Sequence, residues 1–420
     1  MHTSLLDILR CPYCGTALSI VENDALTLDG AQMDQGILGC ECCAFPVVAG
    51  IPVMMADDAS RRALHTLEAG RSEEALLGLL GLSEDTARQG QFRALIEQGT
   101  ATYSGALGIL CDDAEGTYFL YRFTDPTYLT AEALLQAIAQ QGWPVQGWTL
   151  DLCGGSGHLT RVLAALRPPG GAKEPGAVLA DIYFWKLWLA SRFTAPESAP
   201  VCCDANHPLP FTRDTFSAVV LADAFPYIWH KRQLAEEMMR LAGEDGVVVM
   251  PHLHSALGEN FPAGDTLTPA AYHALFAPMA PRLFSDARIF DDVIERRVVD
   301  LTSDESPEGI GTEPALTLVA SARADLFAHY ELAEATEVAG ELVVNPLYRV
   351  ERSEGASILT LHFPTPEYEA EFGECRRYLP DSITVAADLT RPILSEALGP
   401  AFVELRERRI VIDAPVRYCP

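Results

Sequence analysis

The sequence is poor in basic residues and has no long apolar run. Against 58 acidic residues stand 30 lysines and arginines, which gives a formal net charge of −28 at pH 7. Because like charges repel, we expect neither long nucleic acid nor an anionic membrane surface as a partner. No run reaches the roughly 18 apolar residues of a membrane span. The N-terminal segment also lacks the basic start and the apolar stretch of a signal peptide, so we expect a cytoplasmic protein.

The composition is that of a globular protein with a full core. Of the 420 residues, 49% are hydrophobic and 21% are charged, which excludes a disordered chain. The length exceeds one ordinary domain and suits two or three. Disulfides are rare in the cytoplasm, so the eleven cysteines require another explanation.

Five of the cysteines lie within the first 43 residues. Cys11 and Cys14 form one C-x-x-C pair, and Cys40 and Cys43 form another after an intervening loop. Two such pairs predict four thiolates around one tetrahedral zinc ion, the pattern of a closed structural site. Cys42 is a surplus thiol that can compete as a ligand. The alternatives are a redox C-x-x-C and a ribbon that has lost its metal.

The residues around these cysteines resemble a known family. LLDILRCPYCG and CECCAFPVVAGIPVMM are similar to the small zinc-ribbon family whose free-standing members activate tRNA, rRNA and protein methyltransferases. The resemblance covers residues 1 to about 56 and is most specific in the FPVVAGIPVM tail. It implies a module that binds a protein partner rather than a catalyst, here fused to the domain that it supports.

The middle of the chain alternates short apolar runs with helical segments. This alternation predicts a mainly parallel sheet covered on both faces, which is a doubly wound, Rossmann-like α/β fold. The predicted strands are 147–152, 177–180, 200–203, 216–223 and 247–250, and the predicted helices include 158–167, ended by Pro168–Gly171, and 231–241.

A glycine-rich loop, Cys153–Gly157, follows the first of these strands. Its glycines allow the backbone to approach a ligand, and the free N–H groups of the next helix lie beside it. Asp181 closes the second strand, 24 residues beyond Gly157, where a carboxylate can bind a ribose diol. The loop alone also suits NAD, FAD or a nucleotide, but the chain lacks both G-x-G-x-x-G here and a P-loop.

The whole series over residues 145–255 resembles the class I S-adenosylmethionine-dependent methyltransferases. DLCGGSG, the acids that close strands two and three, LPF and RLAGEDGVVVM recur together in that family, with Cys153 standing at its first glycine position. The resemblance implies that Asp151, Gly155 and Gly157 border the methionine part of the cofactor and that Cys153 and Gly154 also belong to the cofactor-binding residues. It also implies that Asp181 binds the ribose, that Asp204 and Ala205 meet the adenine, and that Ala222 and Asp223 face the sulfonium.

Tyr118 and Arg122 precede the first strand of this region. In similar enzymes such a segment closes over the cofactor, and an arginine can bind its carboxylate bidentately. The alternative is an aromatic cluster that packs the helical segment onto the sheet. A helix is predicted to begin after Thr130.

The candidates for moving a proton from the acceptor lie beyond strand four. They are Asp223, Tyr227, His230, His252 and His254. His252 and His254 are two residues apart in an extended segment, so both imidazoles can face one pocket. A metal bound by this pair lacks a third ligand in the sequence.

We therefore expect four segments. These are a zinc ribbon (1–57), a helical segment (58–142), a cofactor-binding domain (143–288) and an α+β domain (289–420). The expected activity is S-adenosylmethionine-dependent methyl transfer to a small molecule, lipid or glycan precursor. The alternatives are transfer or cyclisation of the aminocarboxypropyl arm, and a non-catalytic scaffold that binds through the ribbon.

Overall fold

The computed structural model describes residues 1–142, 147–166, 176–259, 264–353, 355–389, 393 and 395–419. The predicted end of the helix after the glycine loop, Arg167 and Pro168–Gly171, lies outside the described residues. No helix among the described ranges is long and apolar enough to cross a membrane.

The N-terminal ribbon is a small antiparallel sheet with one short helix. Its strands lie in the order β1-β3-β4-β5, and β2 pairs with β3. Ala49 and Gly50, both with positive φ (50° and 78°), form the two-residue turn that joins the last two strands, as hairpins of this length favour. The elements are α1 (Leu5–Ile8), β1 (Ser19–Val21), β2 (Thr27–Asp29), β3 (Gln32–Gly39), β4 (Ala44–Val48) and β5 (Ile51–Pro52).

The helical segment follows the ribbon. Aspartates or a threonine cap five of its six helices by accepting backbone N–H groups, and Asp125 caps the last one through the Tyr128 N–H at 2.7 Å. The predicted start after Thr130 is wrong by a turn, because Asp125 is the N-cap and Pro126 occupies the first helical position. The helices are α2 (Asp58–Glu68), α3 (Ser72–Leu79), α4 (Thr86–Glu97), α5 (Tyr103–Leu110), α6 (Ala114–Tyr121) and α7 (Pro126–Ala139).

The central unit contains a seven-stranded sheet. The first part of its elements alternates strand and helix, as predicted. These elements are β6 (Trp148–Leu152), α8 (His158–Ala165), β7 (Ala177–Asp181), α9 (Phe184–Leu189), β8 (Ala199–Cys202), β9 (Phe216–Val220), α10 (Lys231–Ala242) and β10 (Val247–His254). The later elements are α11 (Pro269–Leu275), β11 (Pro281–Ser285), α12 (Asp286–Asp291), β12 (Val298–Asp300), α13 (Pro307–Ile310) and β13 (Ala315–Ala320).

The strand order confirms the predicted doubly wound fold. It is β11-β13-β10-β9-β6-β7-β8, in which β8, β7, β6, β9 and β10 run parallel and β13 is antiparallel to both of its neighbours. Nearly every residue of these strands is buried, as a sheet covered on both faces requires.

The expected domain boundary at residue 288 cuts this sheet and is wrong. Strand β13, Ala315–Ala320, was expected in a separate C-terminal domain, but it pairs with both β10 and β11. All six of its residues are buried between those neighbours. A local apolar run predicts a strand without indicating its partners. The sequence therefore does not show that Ala315–Ala320 belongs to the central sheet, beyond the expected boundary at residue 288.

The ribbon docks on the free edge of the same sheet. Val53 forms a parallel bridge with Cys202 of β8, and the Met54 N–H donates to the Cys202 carbonyl at 2.7 Å. At a second contact the Arg10 N–H donates to the Pro210 carbonyl at 2.8 Å. Apolar side chains of the ribbon and the sheet also form one continuous core. The ribbon therefore extends the sheet of its own chain.

The C-terminal segment is α+β and has a core of its own. It also contacts the helical segment, where Tyr418 stacks on Tyr103 with ring centroids 4.6 Å apart. The elements are β14 (His329–Glu331), β15 (Glu341–Val344), β16 (Tyr348–Ser353), β17 (Ala356–Leu361), α14 (Pro366–Phe372), β18 (Ser382–Val385), α15 (Ser395–Leu398), α16 (Phe402–Glu407) and β19 (Val411–Ala414).

Candidate functional site

The cysteine cluster of the ribbon brings four thiols together. The Sγ atoms of Cys11, Cys14, Cys40 and Cys42 all lie within 4.8 Å of one another, as ligands of one metal ion must. The prediction of Cys43 as the fourth ligand is wrong. Its Sγ lies beside that of Cys42, at 3.4 Å, outside the group of four, while its carbonyl accepts the Cys40 N–H and closes the turn.

The glycine loop and Asp181 form one unit at the carboxyl ends of β6 and β7. Cys153, Gly155 and Gly157 all have left-handed backbone, with φ of 57°, 57° and 80°. The Gly155 N–H donates to Asp181 Oδ2 at 3.0 Å, and the Tyr183 N–H donates to Oδ1 at 2.8 Å. Burial raises the pKa of Asp181, against the opposing charge of Lys186. The carboxylate is thus held in place by backbone, with lone pairs left on both oxygens.

Asp151 lies beneath this loop rather than in an open cleft. Its side chain is buried, and the Thr160 hydroxyl donates to its Oδ2 at 2.6 Å. Burial raises the pKa of Asp151 to about 7, against the effect of the Thr160 hydrogen bond. A Cβ at Gly154 would lie 2.4 Å from the Asp151 Cγ, so the loop passes directly over the carboxyl group.

Asp204 and Ala205 follow β8 at the same edge. Asp204 Oδ1 accepts the Asn206 backbone N–H at 2.8 Å and the Asn206 side-chain amide at 3.0 Å. Ala205 is buried, and its N–H has no hydrogen-bond partner among the described residues. This N–H is therefore available to an acceptor on a ligand.

Two of the proton-transfer candidates lie on the surface. His230 is exposed, and its Nδ1 donates to the Asn206 carbonyl at 2.9 Å, so it belongs to the loop after Asp204. Tyr227 is 53% exposed in the short helix Phe225–Tyr227. His230 does not join the group around Asp223, whereas desolvation and the nearby charge of Asp223 both raise the pKa of Tyr227.

Helix α6 covers the glycine loop. A Cβ at Gly155 would lie 2.7 Å from the Phe119 ring, so glycine is required for this close approach. Lys186 is buried, and its Nζ lies 2.6 Å from Glu115 Oε1 and 5.0 Å from the Phe119 ring centroid. These contacts join α6 to α9 across the carboxyl edge of the sheet.

The side chain of Arg122 makes its contacts within its own segment. Its Nη1 donates to both Asp125 oxygens at 2.8 Å, and its Cζ lies 5.2 Å from the Tyr118 ring centroid. Burial by itself would lower the pKa of Arg122, but the Asp125 carboxylate outweighs burial and the pKa is raised. This arrangement favours the interpretation of Tyr118 and Arg122 as part of an aromatic cluster, because the guanidinium of Arg122 is already bound to the Asp125 carboxylate.

Asp223 and His254 meet at the ends of β9 and β10. His254 Nε2 donates to Asp223 Oδ1 at 2.8 Å, and Ala222 stands half-buried just before Asp223. Burial opposes ionisation of Asp223, but the hydrogen bond from His254 and the charge of His252 outweigh it and lower its pKa. Asp223 also has a left-handed backbone, with φ of 60°.

His252 forms a second pair beside the first. Its ring centroid lies 4.9 Å from that of His254, and its Nδ1 donates to Asp286 Oδ2 at 2.8 Å. Burial would lower the pKa of His252, but the Asp286 carboxylate raises it to about 9. Glu371 of α14 is exposed and lies near this group, because desolvation and then the Asp223 charge raise its pKa.

Sequence reasoning missed several members of the site. Asp286 lies 34 residues beyond His252 and Glu371 lies further still, so no local pattern joins them to the histidines. Phe119, Glu115 and Lys186 carry no motif and are identified only by contact. The H-L-H spacing already indicates that His252 and His254 lie together, and their ring centroids are 4.9 Å apart.

Solved structures similar to this chain include S-adenosylmethionine-dependent methyltransferases, the family that the sequence resembles. One is such an enzyme from Aquifex aeolicus, with 13% identity, a TM-score of 0.32, and coverage of 48% of this chain and 96% of that chain. Another is a sugar N-methyltransferase from Streptoalloteichus, with 17% identity, a TM-score of 0.35, and coverage of 50% and 94%.

A third similar chain belongs to a Haloferax volcanii complex that contains the Trm112 methyltransferase activator. It has 18% identity and a TM-score of 0.31, and the match covers 46% of this chain and 89% of that chain. No family model matches the sequence, and the comparison with curated proteins gives no match.

Proposed function

We propose that this chain is an S-adenosylmethionine-dependent methyltransferase. The observation that carries the proposal is the row of carboxylates at the ends of adjacent parallel strands. Asp181, Asp204 and Asp223 close β7, β8 and β9 around the left-handed loop that follows β6. Ligands of open α/β sheets bind at this carboxyl edge.

The residues at this edge suit the parts of the cofactor. Asp181 has lone pairs for a ribose diol, and the N–H of Ala205 together with the Asp204 carboxylate suits the polar edge of adenine. The backbone of Cys153–Gly157 would border the methionine part. When bound, the cofactor supplies an electrophilic methyl group on a sulfonium.

The group around Asp223 is where the acceptor would be positioned. Asp223 has a lowered pKa and stays ionised at neutral pH, so it can accept a hydrogen bond from an acceptor hydroxyl or amine. His254 holds the carboxylate in place through the 2.8 Å hydrogen bond. Alignment of donor and acceptor supplies much of the rate of such an in-line displacement.

The proposed acceptor is a small molecule or a lipid or glycan precursor. The net charge of −28 supports this choice because it opposes the binding of polyanionic nucleic acid. Zinc held by four thiolates in the ribbon is part of the proposal and requires reduced cysteines, which supports a cytoplasmic location.

The ribose contact provides the test of this proposal. Asp181→Ala should weaken the affinity for S-adenosylmethionine by ~10-fold or more, because loss of a hydrogen bond to a charged group costs about 1.5–3 kcal/mol. Equilibrium dialysis of the full-length chain with labelled cofactor measures the effect. Asp58→Ala is the matched control, since that carboxylate is 84% exposed on α2.

Mass analysis of the nucleoside product identifies the transferred group. We expect S-adenosylhomocysteine, the product of methyl transfer. Methylthioadenosine as the product would instead indicate transfer of the aminocarboxypropyl arm. If the Asp181→Ala variant bound S-adenosylmethionine with the same affinity as the unaltered chain, the proposed contact between Asp181 and the ribose would be wrong.

A further inference from the structure

We propose that Asp223, His252 and His254 bind one divalent transition-metal ion at the carboxyl edge of the central sheet. Each side chain offers one ligand atom, and these three atoms all lie within 4.8 Å of one another. Two imidazoles and a carboxylate are a donor set that suits first-row divalent ions. This site is distinct from the thiolate cluster of the ribbon.

The spacing of two ligand atoms already fits such an ion. His254 Nε2 and Asp223 Oδ1 are 2.8 Å apart. Two ligands at right angles around an ion with bonds of about 2.1 Å lie about 3.0 Å apart. An ion can therefore replace the proton between these atoms with little movement of either side chain.

The third ligand is held by a carboxylate on its far side. His252 Nδ1 donates to Asp286 Oδ2 at 2.8 Å, and the Thr317 hydroxyl donates to Asp286 Oδ1 at 2.8 Å. This fixes the ring and leaves Nε2 as the ligand atom. A carboxylate on the second ring nitrogen commonly orients histidines that bind metals. Asp286 is thus a positioning residue.

The backbone is distorted where the ligands are presented. Asp223 and His252 have φ of 60° and 54°, and β10 has an irregular register between Met250 and Leu253. Left-handed backbone at a non-glycine residue is costly and persists mainly where the surroundings require it, often at functional sites. The irregularity brings both histidine rings to one side of the strand, 4.9 Å apart.

The site is mostly buried but keeps partial access to solvent. The exposed fractions of the Asp223, His252 and His254 side chains are 26%, 22% and 10%. A bound ion would therefore retain positions for water or for an oxygen of the acceptor. This role beside the methyl donor rests on the proposed function, but metal binding itself does not.

Titration with Co²⁺ alone tests the site in the full-length chain after the ribbon has been filled with zinc. One further equivalent should bind and give the weak visible bands of nitrogen and oxygen ligands, without the intense thiolate charge-transfer bands of a cysteine site. His252→Gln and Asp223→Asn should each weaken this binding by at least about 10-fold, and Asp286→Asn by about 10–100-fold. His65→Gln is the matched control, because that ring is 77% exposed on α2.

Thermal unfolding of the same samples shows that the variants are folded, and calorimetry with S-adenosylmethionine separates the two proposals. Two results would overturn the metal site. One is a Co²⁺ spectrum that shows only thiolate bands, and the other is that His252→Gln binds Co²⁺ with the same nitrogen and oxygen bands and the same affinity as the unaltered chain. If the cofactor still binds in that case, the proposed methyltransferase function stands without it.

Discussion

At the scale of single residues, the carboxyl group of Asp151 shows how the structure sets chemistry through burial. It lies beneath the glycine loop, bonded to the Thr160 hydroxyl at 2.6 Å, and burial raises its pKa from 3.8 to about 7. Below about pH 7 this carboxyl group is mostly protonated, which avoids a second negative charge close to Asp181, whose own carboxylate accepts the Gly155 N–H.

This raised pKa predicts how stability depends on pH. The unfolded chain loses the Asp151 proton near pH 4 and the folded chain near pH 7, so the free energy of unfolding should fall as pH rises from about 4 to 7. A shift of this size corresponds to a fall on the order of 4 kcal/mol. Asp151→Asn keeps an acceptor for Thr160 and should remove this part of the decline, as measured by urea unfolding across that pH range.

The exposed Asp58 supplies the comparison for this measurement. Asp58→Asn should leave the pH dependence unchanged, since that side chain is 84% exposed. A slope in Asp151→Asn equal to that of the unaltered chain would mean that folding does not raise the pKa of Asp151.

At the scale of elements, the join between α6 and α7 depends on one buried ion pair. Asp125 caps α7 and also neutralises Arg122, and both side chains are almost fully buried. Removal of one partner leaves an uncompensated charge, which is far more costly than loss of a cap alone.

Asp125→Ala should therefore lower the free energy of unfolding by about 3–5 kcal/mol. The control is Asp85→Ala, which removes an exposed cap of α4 without an ion pair and should cost about 1 kcal/mol. Denaturant unfolding measures both variants. A similar small loss in the two would show that the Arg122 charge does not depend on Asp125.

Elements were predictable where the signal is local. The parallel strands are short buried runs closed by Asp181, Asp204 or the residues before Asp223, and the order of runs and helices is enough to indicate a doubly wound sheet. The start of α7 was misplaced because Thr130 is also a good cap, and only the structure shows that Asp125 takes this role. Strand β13 was misassigned because its partners β10 and β11 are not readable from its own residues.

The residues of the candidate site were also predictable only where the signal is local in the sequence. Strand ends place the acids on one edge, so Asp181, Asp204 and Asp223 follow from pattern. The choice of Cys42 over Cys43 depends on which thiol the turn directs toward Cys11, and the link between His252 and Asp286 depends on the antiparallel edge of the sheet. Both require coordinates.

At the scale of the whole molecule, the ribbon is an extension of the seven-stranded central sheet. Its hydrogen bonds to Cys202 and Pro210 and its shared core connect the cysteine cluster to the strand that precedes Asp204. Zinc bound by the ribbon would thus stabilise the edge that we assign to adenine.

Single cysteine substitutions test this connection. Cys42→Ser should release zinc, lower the midpoint of thermal unfolding and weaken cofactor binding, because metal binding to such a site contributes directly to folding. Cys43→Ser should retain one zinc per chain, since its sulfur lies outside the group of four. Metal analysis and thermal unfolding of the two variants provide the measurement; zinc lost from Cys43→Ser and kept by Cys42→Ser would reverse the assignment.

Binding of the cofactor is tested most directly by calorimetric titration of the zinc-loaded, full-length chain with S-adenosylmethionine. We expect saturable binding of one cofactor per chain. An absence of binding up to millimolar cofactor, in a sample that is folded and contains zinc, would contradict it and favour a scaffold that binds partners through the ribbon.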